Sequence, residues 1–408
     1  HLHLPADRVG IAQSISQIPL LLVLFGGATA DGRALSAYLA RLQLAFIAPA
    51  GLLLVTLIAG VMTFPVVVCA AFGAAVVSAF IMPARDALLT HAAPPGRALT
   101  QAVAAATSAM FAGQMVGFAL GSLASTTGLK VLLVAHILII VFAAMVTSRQ
   151  GLGNSARTRS SARSIREVSA DISEGLKVTW RDTRLRTITL IVACSSIAMN
   201  SGFVVGLPLL VRDVYKGTSY GVAALFIAFM VGTTITSIYL SRRKPIDAQG
   251  RVFMTLFLNS AVMFFGLHLG PPFWVSVLLV FGWGLGAGFG MVLTRSIIQA
   301  SAPPAYRARV LSVFQLAQTI GSLVGPFVLG WVIHRYGVLD AMLAIPCWVV
   351  LLWALFSATT PVWSFRRQED PGVPAVEDPL TPVGPQEYLR SDHQGKKGGM
   401  SDDTLPGN

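Results

Sequence analysis

Apolar residues in this chain gather into long runs separated by short polar stretches. The runs lie at about 10–28, 42–63, 65–83, 99–125, 129–147, 187–211, 217–240, 252–269, 273–294, 308–333 and 338–360. Each is close to the roughly 20 residues that a helix needs to cross the hydrocarbon of a bilayer. A segment in hydrocarbon must satisfy its own backbone hydrogen bonds, so runs of this length are helices. The pattern predicts an all-α integral membrane protein with eleven transmembrane helices.

The polar stretches carry a repeat. Pro83-Ala-Arg-Asp-Ala-Leu-Leu-Thr-His-Ala-Ala-Pro-Pro-Gly-Arg97 has a degenerate copy in Arg295-Ser-Ile-Ile-Gln-Ala-Ser-Ala-Pro-Pro-Ala-Tyr-Arg307. Arg85 matches Arg295 at an offset of 210, Pro94-Pro95 match Pro303-Pro304 at 209, Gly121 matches Gly330 at 209, and Gly10 matches Gly221 at 211. Four matches at nearly one offset indicate two pseudo-repeated bundles. Shifted back by that offset, the run at 187–211 falls before residue 1. Five helices are therefore expected in the first half and six in the second, and a complete protein would have twelve. The expected division is 1–147 for the first half, 148–186 for a linker, 187–360 for the second half and 361–408 for a disordered tail.

Charge fixes an orientation. Alternating the loops places 25 of the 30 Lys and Arg residues on one side. That bias marks the cytoplasmic face and puts the C-terminus there. It also explains the net charge of +12 without nucleic acid, because the basic residues sit in loops between spans. From Ser164 the linker becomes amphipathic, with Ile165, Val168, Ile172 and Leu176 on one face. It is expected to lie along the inner membrane surface with its bases among lipid headgroups. The tail after Pro361 has eight carboxylates against five bases and little apolar content. Cys69, Cys194 and Cys347 all fall in apolar runs and imply neither disulfides nor a metal site. No cluster of metal ligands, phosphate-cradling loop or nucleophile motif points to an enzyme or a cofactor.

Two six-helix halves, a basic central linker and internal termini resemble the major facilitator superfamily. Gly27-Ala-Thr-Ala-Asp31 resembles the start of that family's G-x-x-x-D loop signature; of the bases that follow it in the family, only Arg33 remains here, shifted by one position. The run Pro83-x-Arg85, followed by Ala87-Leu88-Leu89, is similar to the enterobactin-exporter-like and macrolide-efflux-like branch. Gly113, Gly117 and Gly121 resemble the fifth-helix glycine motif of the family's antiporters, with small residues spaced for close helix packing. The second half keeps that motif's Gly-Pro as Gly325-Pro326. The resemblance implies a monomeric secondary transporter in the inner or plasma membrane that moves small molecules by alternating access, as an exporter. It also implies a cavity near mid-membrane, and a proton as coupling ion. All eighteen acidic residues lie in loops, helix ends or the tail, which leaves open a coupling acid on the absent helix or a facilitator. A ligand-sensing membrane protein that no longer transports is the alternative.

Polar and aromatic residues near mid-span are the cavity candidates: Asn200, Trp283, Gln114, Gln318, Gln17, Ser78 and Ser196. Asn200 stands out because a bare carboxamide in hydrocarbon needs a partner. Against this, each Ser can bond back to its own helix. Trp283 sits in a glycine-rich run that implies either bending or close packing. At the inner face, Asp31, Arg33, Arg85, Asp86 and Arg295 are candidates for ion pairs that close the entrance. Plain positive-inside anchoring is the competing explanation for these charges.

Overall fold

The computed structural model describes residues 5–23, 35–92, 97–149, 165–241, 246–303 and 306–365. Every regular element among them is helical. The main helices are α1 (Ala6–Gln17), α2 (Leu35–Ala45), α3 (Ile47–Ile58), α4 (Phe64–Ala92), α5 (Arg97–Ser122), α6 (Leu129–Arg149) and α7 (Ile165–Arg181). There follow α8 (Thr183–Ser201), α9 (Ser219–Ser241), α10 (Gln249–His268), α11 (Phe273–Ser301), α12 (Arg307–Tyr336) and α13 (Val338–Thr359). Nine helical stretches among the described residues are long and apolar enough to cross a membrane, with α2 and α3 forming one of them and α8 running on to Val214 as another. The expected runs at 10–28 and 99–125 are also helical where they are described, as α1 and α5.

Several boundaries differ from the hydropathy pattern, always for the same reason. Apolarity ends where hydrocarbon ends, but a helix continues for as long as its own residues favour it. The stretch from Pro83 reads as a polar loop, yet α4 runs unbroken through Pro83 to Ala92 and carries Arg85 and Asp86 on helix. Its repeat partner behaves alike, since α11 continues to Ser301 and carries Arg295. Leu35 to Arg41 is likewise helical. These overhangs pack together: Leu35 and Leu39 of α2 bury against Ala84 and Leu88 of α4.

The two sets of helices are packed to different degrees. In the spans from α8 to α13, 33–44% of residues are buried, whereas in those of α2–α3, α4 and α6 the share is 6–11%. Large cores centred on Leu210, Phe264 and Met342, and on Ile188, Met254 and Ile298, hold the later set together. The exposed apolar side chains, such as Leu138 and Phe142 on α6, suit contact with lipid tails.

The helix ends form two faces. Arg85, Arg149 and Arg181 mark a basic end. At the opposite end, Asp7 lies 3.7 Å from His334, and the Arg8 guanidinium lies over the Phe64 ring. There too, the Tyr215 hydroxyl donates to the Pro271 carbonyl (2.7 Å), and the Leu339 carbonyl accepts from His268 Nδ1 (2.7 Å). Gly337, at φ +89°, makes the reversal between α12 and α13 at that end, a backbone conformation that L side chains resist.

Candidate functional site

The earlier helices meet the later ones mainly along two seams, α1 against α12 and α5 against α9. In the first, α1 and α12 touch backbone to backbone. A methyl group on Gly10 would overlap the Pro326 carbonyl oxygen and lie 3.0 Å from Gly330 Cα. One on Gly330 would lie 2.8 Å from the Ala6 carbonyl oxygen. In the second seam, the Ser219 hydroxyl donates to the Ser122 carbonyl (2.9 Å), and the Thr126 and Tyr220 hydroxyls are 3.0 Å apart. These contacts all lie toward the end opposite the basic one, so the two sets of helices meet there.

Between the seams, the chain after α8 changes its winding. Gly202–Gly206 and Leu210–Val214 are π turns on either side of Pro208. Proline lacks the N–H that would continue an α-helix, and the wider turn accommodates the gap. Single π turns within helices are frequent at functional sites. The turn at Gly202–Gly206 contacts α1 and α12. Its Phe203 stacks on Phe226 of α9 (centroids 4.5 Å apart), and Phe226 meets Phe118 of α5 (4.7 Å). One turn therefore touches both seams.

Asn200 lies two residues before this turn. Its Nδ2 is shielded from solvent and has no hydrogen-bond partner. An unmet buried amide is costly, by about 1–3 kcal/mol, and retaining one calls for a reason. The carboxamide is neutral, flat and able both to donate and to accept.

The other sequence candidates divide. Ser196 donates to the Val192 carbonyl (2.7 Å) and is satisfied by its own helix. Gln318 accepts from Gln315 Nε2 at 3.4 Å on the same helix. Ser78 and Gln17 are half-buried, and Gln114 is exposed on α5. Trp283 is a packing residue. It is 4% exposed and enclosed by Phe229 (4.6 Å), Phe264 (4.7 Å) and Phe203 (6.1 Å). The glycines around it serve close packing rather than bending. A methyl on Gly284 would overlap the Phe229 carbonyl oxygen, and Thr233 Oγ1 donates to the Gly284 carbonyl (3.2 Å). Trp283→Ala is therefore expected to reduce stability by about 3–5 kcal/mol, read as an earlier thermal transition of the purified protein.

The glycine motifs also divide. In the second half, Gly321 approaches Ser196 Cβ, and a methyl on Gly325 would overlap the Ile197 carbonyl oxygen, so α12 packs closely on α8. Gly113, Gly117 and Gly121 instead face open space, with nothing within 4 Å of a Cβ built on any of them. The helix-packing role expected for these three is absent from this arrangement, because no described helix lies against that face of α5. Gly117→Ala is expected to leave stability unchanged or to raise it by about 0.5–1 kcal/mol, the helix-propensity difference between the two residues.

Among the gate candidates, Gly27, Asp31 and Arg33 lie outside the described residues. Arg85 pairs with its neighbour Asp86 (Nη2–Oδ1 2.9 Å), with both side chains exposed, and its Nη1 reaches Met110 Sδ at 3.9 Å. Arg295 is exposed on the α11 overhang. The Arg85–Asp86 pair is local and does not join α4 to the later helices.

Comparisons with known proteins place the chain. Residues 1–326 and 249–393 match the Major Facilitator Superfamily. The chain belongs to that superfamily. A probable quinate permease of Aspergillus terreus is 36% identical over 91 residues, and one of Aspergillus flavus is 34% identical over 91 residues. Each match spans 21% of this chain and 17% of the permease, so the likeness is confined to a short part of both. Among solved structures, the nucleoside transporter NupG superposes with a TM-score of 0.70 at 13% identity, covering 89% of this chain and 91% of that one. A bacterial homologue of the human lysosomal transporter Spinster, inward-facing and unoccupied, gives 0.67 at 12% identity, covering 90% and 91%. At such identities these superpositions establish the superfamily fold: a multi-pass, all-helical membrane protein.

Proposed function

We propose that this superfamily member is a secondary transporter that moves small molecules by alternating access, working as an exporter in the cell membrane. The observation that carries the reading is the pair of seams. Contact between the earlier and later helices is concentrated where α1 meets α12 and α5 meets α9, and it is closed toward one end. Two bundles joined in that way rock about their contacts rather than deform. The charge bias assigns the basic end to the cytoplasm, which makes the closed end the outer one and the conformation inward-facing. The Asn200 carboxamide and the aromatic side chains of Phe203, Phe226 and Phe118 are the proposed cargo contacts. They suit an uncharged, partly aromatic compound. The domain division at 148–186 follows from the same reading, with α7 belonging to the linker.

At the inner face, Asp31, Arg33, Arg85, Asp86 and Arg295 are proposed to make the closing contacts when the bundles rock the other way. Exposed pairs contribute about 0–1 kcal/mol, so Arg85→Ala is expected to leave the melting transition nearly unchanged while slowing transport. The reading as a whole is tested by efflux of a panel of amphipathic and aromatic compounds from cells expressing the protein, with and without an uncoupler. Efflux of none of them above vector controls, with the protein present in the membrane, would count against it. Uncoupler-insensitive equilibration would instead identify a facilitator.

A further inference from the structure

The linker helix α7 does more than rest on the membrane. It ends at Arg181, and α8 begins at Thr183 after the single residue Asp182, whose carboxylate caps α8 by accepting from the Leu185 N–H (2.8 Å). Its C-terminal turn is therefore tied to the mouth of a membrane span. One flank docks on α12. Arg309 reaches across to Asp171 (Nε–Oδ1 2.7 Å) and Glu174 (Nη1–Oε2 2.5 Å), and a methyl on Gly175 would sit 2.7 Å from the Arg309 carbonyl oxygen. On a helix with 3.6 residues per turn, Leu176 and Trp180 then fall on the far flank. They are 46% and 50% exposed. Lys177 and Arg181 stand on the third side, also exposed.

That third side is concave. Ser173, Glu174, Lys177, Val178 and Arg181 line a pocket of about 410 Å³ that is walled at its other edge by Tyr306. Two bases, Lys177 and Arg181, line the pocket against one acid, Glu174, which Arg309 also engages, so the balance is cationic, with the Ser173 hydroxyl beside it.

We propose that this pocket takes the phosphate of an acidic phospholipid headgroup, with Lys177 and Arg181 supplying charge and Ser173 a hydrogen bond. The acyl chains would leave over Leu176 and Trp180. A cationic pocket beside an exposed Leu and Trp, at the mouth of a membrane span, is the arrangement that a headgroup with tails fills and a free anion does not. The proposal is independent of transport, since it concerns lipid retained by the protein.

Native mass spectrometry of the detergent-purified full chain provides the test, with phosphatidylglycerol or phosphatidylcholine added at equal concentration. The wild-type protein is expected to retain phosphatidylglycerol in preference, and Lys177→Gln with Arg181→Gln to lower that retention about tenfold or more. The charge-conserving pair Lys177→Arg with Arg181→Lys should retain it, which separates charge from folding, as should an unchanged melting transition in all three proteins. Equal retention of the two lipids overturns the proposal, and so does undiminished phosphatidylglycerol binding in the Gln pair. Displacement of the lipid by millimolar inorganic phosphate would assign the pocket to a soluble anion and equally overturn it.

Discussion

Valine at Gly10 or at Gly330 is expected to stop transport while leaving the protein inserted and folded. Both glycines lie where α1 and α12 cross with no side chain between them, and the closest approach is to the backbone atoms Pro326 O and Ala6 O. Backbone cannot rotate away as a side-chain tip can, so the helices must separate. Overpacking of this kind costs about 1–3 kcal/mol, and here the cost falls only on the conformation in which the seam is closed. The closed population should therefore fall by about 5- to 150-fold relative to the alternative. A cysteine pair replacing Asp7 and His334, whose side-chain tips lie 3.7 Å apart at the same end (Oδ1–Nδ1), reports it through a short bifunctional thiol reagent. Cross-linking should be ready in the parent and largely lost with Val at Gly10. Full cross-linking together with normal efflux would mean that the seam is not a moving part. Gly117→Val provides the control, because a side chain there meets nothing.

Much of the architecture is legible in the sequence, since lipid imposes so simple a rule. A run of apolar residues becomes a helix, and the basic loops mark one end. Less legible is where a helix stops. Pro83, Arg85 and Asp86 look like a loop because their polarity is what a loop would show, yet an overhanging helix beyond the hydrocarbon shows the same polarity. The repeat is visible in the matches of Gly10 to Gly221 and Gly121 to Gly330, but identical residues do not meet identical surroundings. Gly330 is pressed against Gly10, while Gly121 faces open space. A residue alone does not name its neighbour, and so the packing role of the first-half glycines was not decided by their spacing.

Sites follow the same logic. Asn200 is visible from sequence because an amide in an apolar run has few ways to be satisfied. Trp283 fits a cavity wall as well as a core on sequence grounds; only the three rings around it decide for the core. Phe203, Phe226 and Phe118 carry no polarity that would mark them, and their meeting depends on which helices touch. The Gly202-x-x-x-Gly206-x-Pro208 pattern was the available signal, as two glycines and a proline within seven residues of a transmembrane run disfavour regular α-helix.

Asn200→Leu is expected to stabilise the protein and to abolish its transport. A leucine shares asparagine's branching and number of side-chain heavy atoms and carries no polar atom, so it removes the unmet Nδ2 without opening a cavity. Relief of a buried, unpaired amide is expected to raise stability by about 1–3 kcal/mol, visible as a later thermal transition. If the carboxamide instead served to hold helices together, the same substitution would lower that transition. The two roles therefore predict opposite signs for one measurement. On the transport side, cargo that bonds the amide would meet an apolar surface, leaving its own polar group unpaired. A site built around such a bond rejects the mismatch strongly, so efflux of the preferred compound should fall by at least about tenfold. Asn200→Gln restores the chemistry but lengthens the reach, and should recover part of the activity with an altered preference among compounds. A more stable protein with undiminished efflux would remove Asn200 from the site and leave the aromatic turn at Phe203 to account for binding.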